Sequence, residues 1–176
     1  ITPTTKGSTD RPIIPKEIIE LMYLTEVDWD FVSSKALELF RHGQEEASKK
    51  GLLLVDTKYE FGWLNDKIIL IDELHTCDSS RYWLKDSYND RFELGLEPDK
   101  FDKDSIRDWV KSVCDPYKDD VPLVPPNVLQ NVANVYSDYH NILTGYNLSK
   151  QINSGKDLVI TKYFMDNHRE IVVIIA

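Results

Sequence analysis

Leu52-Leu53-Leu54-Val55-Asp56-Thr57-Lys58-Tyr59-Glu60-Phe61-Gly62-Trp63-Leu64-Asn65-Asp66-Lys67-Ile68-Ile69-Leu70-Ile71-Asp72-Glu73 is the stretch whose reading decides the fold. From Leu52 to Phe61 it alternates. Asp56, Lys58 and Glu60 fall on one face and Val55, Thr57, Tyr59 and Phe61 on the other, as the two-residue period of a strand requires. Asn65-Asp66 supplies a turn and Lys67 to Glu73 a second strand, so the stretch predicts a β-hairpin. Pairing symmetric about Asp66 sets Glu60 across from Asp72, on the face that carries Asp56 and Lys58. Like charges at cross-strand distance repel, and a divalent cation between the carboxylates removes the conflict. A few hard oxygen ligands on a ribbon suit Mg²⁺, which keeps several waters and shares its shell with substrate phosphates. A register one residue different turns Asp72 to the other face and offers Glu73 instead. The competing reading makes Asp56, Lys58 and Glu60 the solvated face of an edge strand, where surface ion pairs are worth little.

Working outward, residues 1 to 15 hold three prolines among Thr, Ser and Gly and predict an extended segment. A short apolar helix follows from Pro15 to Leu24. Asp28 or Asp30 caps a longer helix in which Phe31, Ala36, Leu37, Phe40 and Ala47 recur at helical spacing, with Gly51 as its stop. Beyond the hairpin, Thr76 to Lys103 is polar and rich in Asp, Ser, Tyr and Arg. It predicts a loop with short turns, of a length that is often functional. A helix is expected from about Asp104 to Val113. Pro122, Pro125 and Pro126 then break the chain, and Asn127 to Leu143 gives the last long helix, stopped by Gly145. After Asn153-Ser154-Gly155 the composition shifts to a strand-like tail.

The whole chain has 176 residues, 41% hydrophobic and 29% charged, enough for one sizeable core and too few for two large domains. Twenty-one Lys plus Arg stand against thirty Asp plus Glu, a net charge of -9 that argues against a phosphate-tracking nucleic-acid surface. Any anionic ligand must therefore be held by a few placed cations. Cys77 and Cys114 lie far apart, outside zinc-ligand or disulfide-framework spacing, which fits a reducing, cytoplasmic setting. No apolar run approaches the roughly 20 residues needed to cross a bilayer. The chain opens on Ile1 and stops at Ala176 after the apolar run Ile171-Val172-Val173-Ile174-Ile175, which reads as a piece of a longer polypeptide.

Leu54-Val55-Asp56-Thr57-Lys58-Tyr59-Glu60-Phe61-Gly62 resembles the signature of SAICAR synthetase, the phosphoribosylaminoimidazole-succinocarboxamide synthase of purine biosynthesis. The resemblance continues through Ile71-Asp72-Glu73, Thr76, Asp78-Ser79-Ser80-Arg81-Tyr82-Trp83, Asp102-Lys103-Asp104 with Ile106-Arg107-Asp108-Trp109, and Tyr139 with Leu143-Thr144-Gly145. It implies ATP-dependent joining of L-aspartate to the carboxylate of carboxyaminoimidazole ribonucleotide, with release of ADP and phosphate. By similarity, Glu60 and Asp72 act through Mg²⁺ at the nucleotide phosphates, Lys58 stabilises charge beside them, and Asp78 faces the amine or imidazole. Arg81 would hold the ribonucleotide phosphate. Lys103 and Arg107 match basic positions around the substrate and, four residues apart, share a helical face if the helix begins early enough. Lys6 and Asp10 match a segment leading into the substrate cleft.

The resemblance also implies an α+β fold, an antiparallel sheet flanked by three main helices, in an ATP-grasp-like arrangement over residues 1 to 150. The family's N-terminal domain, with its glycine-rich ATP loop, has no counterpart here. One rival reading is a non-catalytic nucleotide-binding or assembly module that retains part of the site. Residues 151 to 176 form a linker and tail. The tail is similar to the first strand of the phosphoribosylaminoimidazole carboxylase mutase family, so a fused domain is one reading and a strand added to the main sheet the other. His42, His140 and His168 are read as structural or surface residues, the four tryptophans as core or loop anchors with Trp83 a candidate brace beside Arg81, and His75 is assigned no role.

Overall fold

The computed structural model describes residues 1–5, 11–101, 104–147 and 172–174, with 104–105 and 172–174 described by their backbone alone. In chain order the elements are β1 (Thr4–Thr5), β2 (Arg11–Pro12), α1 (Pro15–Glu20), α2 (Glu26–Lys49), β3 (Leu52–Thr57), β4 (Glu60–Leu64), β5 (Lys67–Leu70), β6 (Ser80–Leu84), α3 (Lys85–Glu93), β7 (Lys100–Phe101), α4 (Asp104–Val113), α5 (Pro126–Thr144) and β8 (Val172–Ile174). Among the described residues the strands pair antiparallel in the orders β1-β2, β3-β6-β7 and β5-β4-β8. The fold is α+β, as expected, with the pairing divided among small sheets rather than gathered into one.

The helices begin and end where local chemistry dictates. Thr25 caps α2 by accepting from the Asp28 amide at 3.2 Å, and Glu26 and Asp28 complement the positive end of the helix. The cap therefore lies upstream of the expected Asp28 or Asp30. Gly51, at φ 75°, provides the left-handed turn that ends the helix and starts β3. The α2 face that packs inward is built on Val32, Gly43 and Ala47, while the expected Phe31 and Leu37 remain 45% and 43% exposed. Pro126 opens α5 and Gly145, at φ 75°, closes it, its N–H donating to the Asn141 carbonyl at 2.9 Å.

The predicted hairpin forms, but not in the expected register. Asn65 and Asp66 both have positive φ, 48° and 59°, which makes them the two central residues of a type I′-like turn. The pairs Leu64↔Lys67, Trp63↔Ile68, Gly62↔Ile69 and Phe61↔Leu70 follow, so the symmetry axis lies between Asn65 and Asp66 and not on Asp66. The ladder ends with the Ile71 amide donating to the Glu60 carbonyl at 2.9 Å. Ile71, not Asp72, therefore stands opposite Glu60. The single strand expected over Leu52 to Phe61 is also two strands. A register shift between Leu54 and Asp56 moves Asp56 off the face of Leu54 and opposite Arg81, and the chain then turns at Lys58-Tyr59 before β4 begins. Tyr59, Glu60, Phe61 and Gly62 are all buried, which ends the two-face alternation there.

The segment Thr76 to Lys103, expected to be a loop, carries β6, α3 and β7. Ser80 and Tyr82 are buried at 3% and 1% exposure while Arg81 is exposed, so β6 is an alternating strand whose polar composition conceals it. Its pairing with β3 spans the whole hairpin, and no local signal announces it. Two apolar clusters flank this arrangement. One joins Ile13, Ile18, Leu24 and Val32 to Tyr59 and Phe61; the other joins Ala47, Leu52 and Leu54 to Cys77, Tyr82 and Tyr139. Helix α2 contributes to both, so it is the beam on which the two β units are fixed.

Of the tail, Val172–Ile174 falls within the described residues. Its backbone pairs with β4 through Glu60↔Ile174, Phe61↔Val173 and Gly62↔Val172. The remainder of the expected linker and fused-domain start lies outside the described residues.

Candidate functional site

The two β units meet at Lys58-Tyr59, and the loop from Ile71 to Ser79 spans the same junction. One end of that loop is tied by the Ile71 amide on the Glu60 carbonyl at 2.9 Å, the other by the Lys58 amide on the Ser79 carbonyl at 3.0 Å. The signature residues and the Asp72-to-Asp78 loop are thus brought together by backbone bonds on either side of Tyr59.

Glu60 is the buried charge of the junction. It is 6% exposed and forms an ion pair with Lys58, whose side chain is 40% exposed. A carboxylate removed from water needs such a partner, because an uncompensated buried charge costs several kcal/mol, of the order measured when one partner of a buried pair is deleted. Asp56 and Arg81, directly paired across β3 and β6, form a second ion pair. The Arg81 Nε donates to both carboxylate oxygens of Asp56 at 3.0 and 2.9 Å, and Nη2 also reaches Asp56. This fork fixes the guanidinium plane. On the next pair, Thr57 Oγ1 and Ser80 Oγ lie 2.8 Å apart, which satisfies the buried Ser80 hydroxyl.

Asp72 is exposed at the start of the loop, one step past the residue opposite Glu60. Glu73 is half-buried and accepts from Thr76 Oγ1, which also accepts from the Ser79 amide at 3.3 Å. Asp78 is exposed and accepts from the Tyr136 hydroxyl at 3.4 Å. Burial, then Cys77 and the Asp78 charge, push the Tyr136 hydroxyl up to about 12, so it stays a donor. Trp83 stacks on Tyr88 of α3, with ring centroids 5.4 Å apart, and so anchors that helix to β6. Arg107 is exposed on α4, which packs against α5. That helix begins at Asp104, one residue beyond Lys103. Lys103, Lys6 and Asp10 lie outside the described residues. The structure therefore brings together Lys58, Glu60, Asp56 and Arg81 with the loop of Asp72, Glu73 and Asp78. It does not bring Asp72 opposite Glu60.

The residue the sequence reading passed over is His75. It has φ 57° in the middle of the loop. Its carbonyl accepts from the Tyr82 hydroxyl at 2.7 Å and from the Tyr139 hydroxyl, and its Nε2 lies 2.5 Å from the Tyr59 hydroxyl. Its partners come from β6, α5 and the β3–β4 joint, so no local spacing could have revealed it.

What fold and site define is an α+β protein with a buried carboxylate and a row of charges at the joint of two small sheets. The chain belongs to the SAICAR synthetase family, whose model matches residues 1–124. It is 48% identical over 158 residues to the phosphoribosylaminoimidazole-succinocarboxamide synthase of Legionella pneumophila (strain Paris), covering 88% of this chain and 51% of that protein. To the chloroplastic synthase of the same name from Vigna aconitifolia it is 55% identical over 132 residues, 73% of this chain and 39% of that protein. Among solved structures, the SAICAR synthase from Saccharomyces cerevisiae complexed with SAICAR superposes with a TM-score of 0.65 at 31% identity, covering 82% of this chain and 47% of that one. The chain thus spans about half the length, or less, of the relatives it matches. Among the described residues no helix is long and apolar enough to cross a membrane.

Proposed function

We propose that this chain forms one wall of the active site of an ATP-dependent C–N ligase that joins L-aspartate to the carboxylate of carboxyaminoimidazole ribonucleotide, giving SAICAR, ADP and phosphate. The observation that carries the reading is the buried Glu60, paired with the partly exposed Lys58 at the two-sheet joint inside the family signature. The yeast relative complexed with SAICAR supports the product assignment.

The chemistry has two steps. The substrate carboxylate attacks the terminal phosphoryl group of ATP and ADP leaves; the aspartate amine then displaces phosphate from the acyl group and gives up a proton. Negative charge grows on phosphoryl oxygens in both steps, so fixed cations at those oxygens lower the barrier. Lys58, held in place by Glu60, is assigned that task. Arg81, its plane set by Asp56, takes the ribonucleotide phosphate, and Lys6, Asp10, Lys103 and Arg107 complete the substrate contacts. Asp78 is assigned to the amine or the imidazole.

Glu60, with Asp72 from the loop, would hold Mg²⁺, and Glu73 is the alternative donor. The donor set fits: the oxygens are hard and one carboxylate is buried. Mg²⁺ is ordinarily held by one or two carboxylates plus substrate phosphates. Held by these residues, such an ion would supply positive charge to offset the charge developing on phosphoryl oxygens.

The rival reading, a non-catalytic module, is set aside because the relatives matched along the chain are named as synthases. The cytoplasm is the proposed compartment. A fused carboxylase mutase domain stays a proposal too; the pairing of Val172–Ile174 with β4 favours the added strand, and sequencing beyond Ala176 tests it. The decisive experiment assays the full-length protein with ATP, Mg²⁺, L-aspartate and carboxyaminoimidazole ribonucleotide for SAICAR. Wild type is expected to turn over, and the Glu60→Gln, Asp72→Asn double variant to lose about 100-fold or more in kcat. A wild type that makes no SAICAR sinks the ligase reading; a fully active double variant sinks the metal assignment.

A further inference from the structure

We propose that His75 is a positioning residue, a peg that fixes the loop from Asp72 to Asp78 against the Lys58–Glu60 joint before any ligand arrives. The inference rests on the ligase reading only for what the loop is positioned to do. The peg itself stands on geometry.

Three independent restraints converge on this residue. The first is its backbone, at φ 57°, a left-handed conformation that histidine adopts more readily than most side chains and that is held only where the surroundings insist on it. The second is its carbonyl, which receives two hydroxyls, from Tyr82 on β6 at 2.7 Å and from Tyr139 on α5. Tyr82 and Tyr139 also contact each other, with ring centroids 4.8 Å apart. Burial raises the pKa of both, so both remain donors at neutral pH.

The third restraint is the ring. It lies against the backbone of α2 at Gly43, where a Cβ would clash with the imidazole, 2.7 Å from Nδ1 and Nε2. Nε2 also meets Tyr59, 2.5 Å from its hydroxyl, with an edge-on ring contact at 5.6 Å between centroids. Gly43 is buried in the middle of α2, where glycine weakens a helix. Its presence is explained by the ring that occupies the space of its missing side chain.

The ends of the loop are already tied to Lys58 and Glu60 by backbone bonds. Ends alone leave the interior free to pivot. With His75 clamped by α2, the β3–β4 joint, β6 and α5, the carboxylates on either side of it have a defined frame: Glu73 two residues before, held by Thr76, and Asp78 three residues after, held by Tyr136. A misplacement of about 1 Å in such groups costs up to 100-fold in rate, so the peg acts on catalysis without touching substrate.

The test uses the full-length protein and three variants: Gly43→Ala, which leaves His75 in place but evicts its ring; His75→Asn, which keeps tolerance of the left-handed backbone but falls short of Tyr59; and Tyr59→Phe, the mildest. Hydrogen exchange of the loop amides is read by mass spectrometry, alongside kcat and KM. The expected result is at least tenfold faster exchange in the loop for Gly43→Ala and His75→Asn, with the flanking β3 and β6 amides unchanged. Their kcat is expected to fall about tenfold or more with KM within threefold, and Tyr59→Phe to show a smaller shift of both kinds. Unchanged loop exchange overturns the peg, as does loosened exchange with kcat intact. Faster exchange across the whole chain also overturns it, since that is a general loss of stability. A wild type without ligase activity bears on the ligase reading alone, because the exchange measurement needs no turnover.

Discussion

The β4–β5 hairpin and the β3–β6 pair are both antiparallel, yet they are held by different means. The hairpin is local. Its two strands are joined by Asn65-Asp66, and much of it faces outward: Trp63 and Leu64 are 46% and 55% exposed and β5 alternates exposed with half-buried residues. The β3–β6 pair joins strands separated by the entire hairpin and its following loop. It is held by burial, with Leu52, Leu54 and Tyr82 at 0%, 3% and 1% exposure. A turn specifies the first unit and a core specifies the second. The candidate site lies where one passes into the other, which is why its residues come from both.

Removing each support in turn should affect the two units unequally. Leu52→Ala, in the β3–β6 core, should cost about 2–5 kcal/mol, the range for deleting a fully buried leucine side chain, read as a fall in the denaturation midpoint of the full-length protein. Asp66→Val should cost about 1–2 kcal/mol, because a β-branched residue pays for the left-handed conformation that Asp66 holds at φ 59°. Nuclear Overhauser contacts between Phe61 and Leu70 should survive that change if burial of Phe61 also fixes the register. A loss as large as that of Leu52→Ala would mean the hairpin is no less essential than the core pair.

The smallest effect expected is of pH, through His75. Burial, and secondarily His42, lowers its pKa below the usual 6.5. The unfolded chain then takes up a proton at a pH where the folded ring still refuses it. Stability is therefore intact above pH 6.5, falls as pH drops from there to the folded pKa, and stops falling from this cause below it. Thermal midpoints of wild type and His75→Asn compared between pH 7.5 and 5 should converge on acidification. Parallel curves would mean that the ring is not held neutral by the fold.

Lys58, Glu60 and Arg81, which the family resemblance singles out, stand at one junction because signature and strand coincide there. The error over Asp72 has a simple source. A two-residue turn with both φ values positive has its axis between residues, and one step of register exchanges Asp72 for Ile71 opposite Glu60. The missed strand β6 has another. Ser80-Arg81-Tyr82 looks polar until Ser80 finds Thr57 and Tyr82 finds the His75 carbonyl. Both partners are remote in sequence.

By itself, then, the sequence determined the family, the helix ends at Gly51 and Gly145, the existence of the hairpin and the charges that line its junction. These rest on local chemistry: turn residues, caps, periodicity and motif. Tertiary structure alone decided which of those charges is buried, which partner each takes, and that a histidine with no motif around it should hold the loop between them. Burial and pairing depend on what α2, β6 and α5 bring from elsewhere in the chain, and no window of neighbouring residues contains that information.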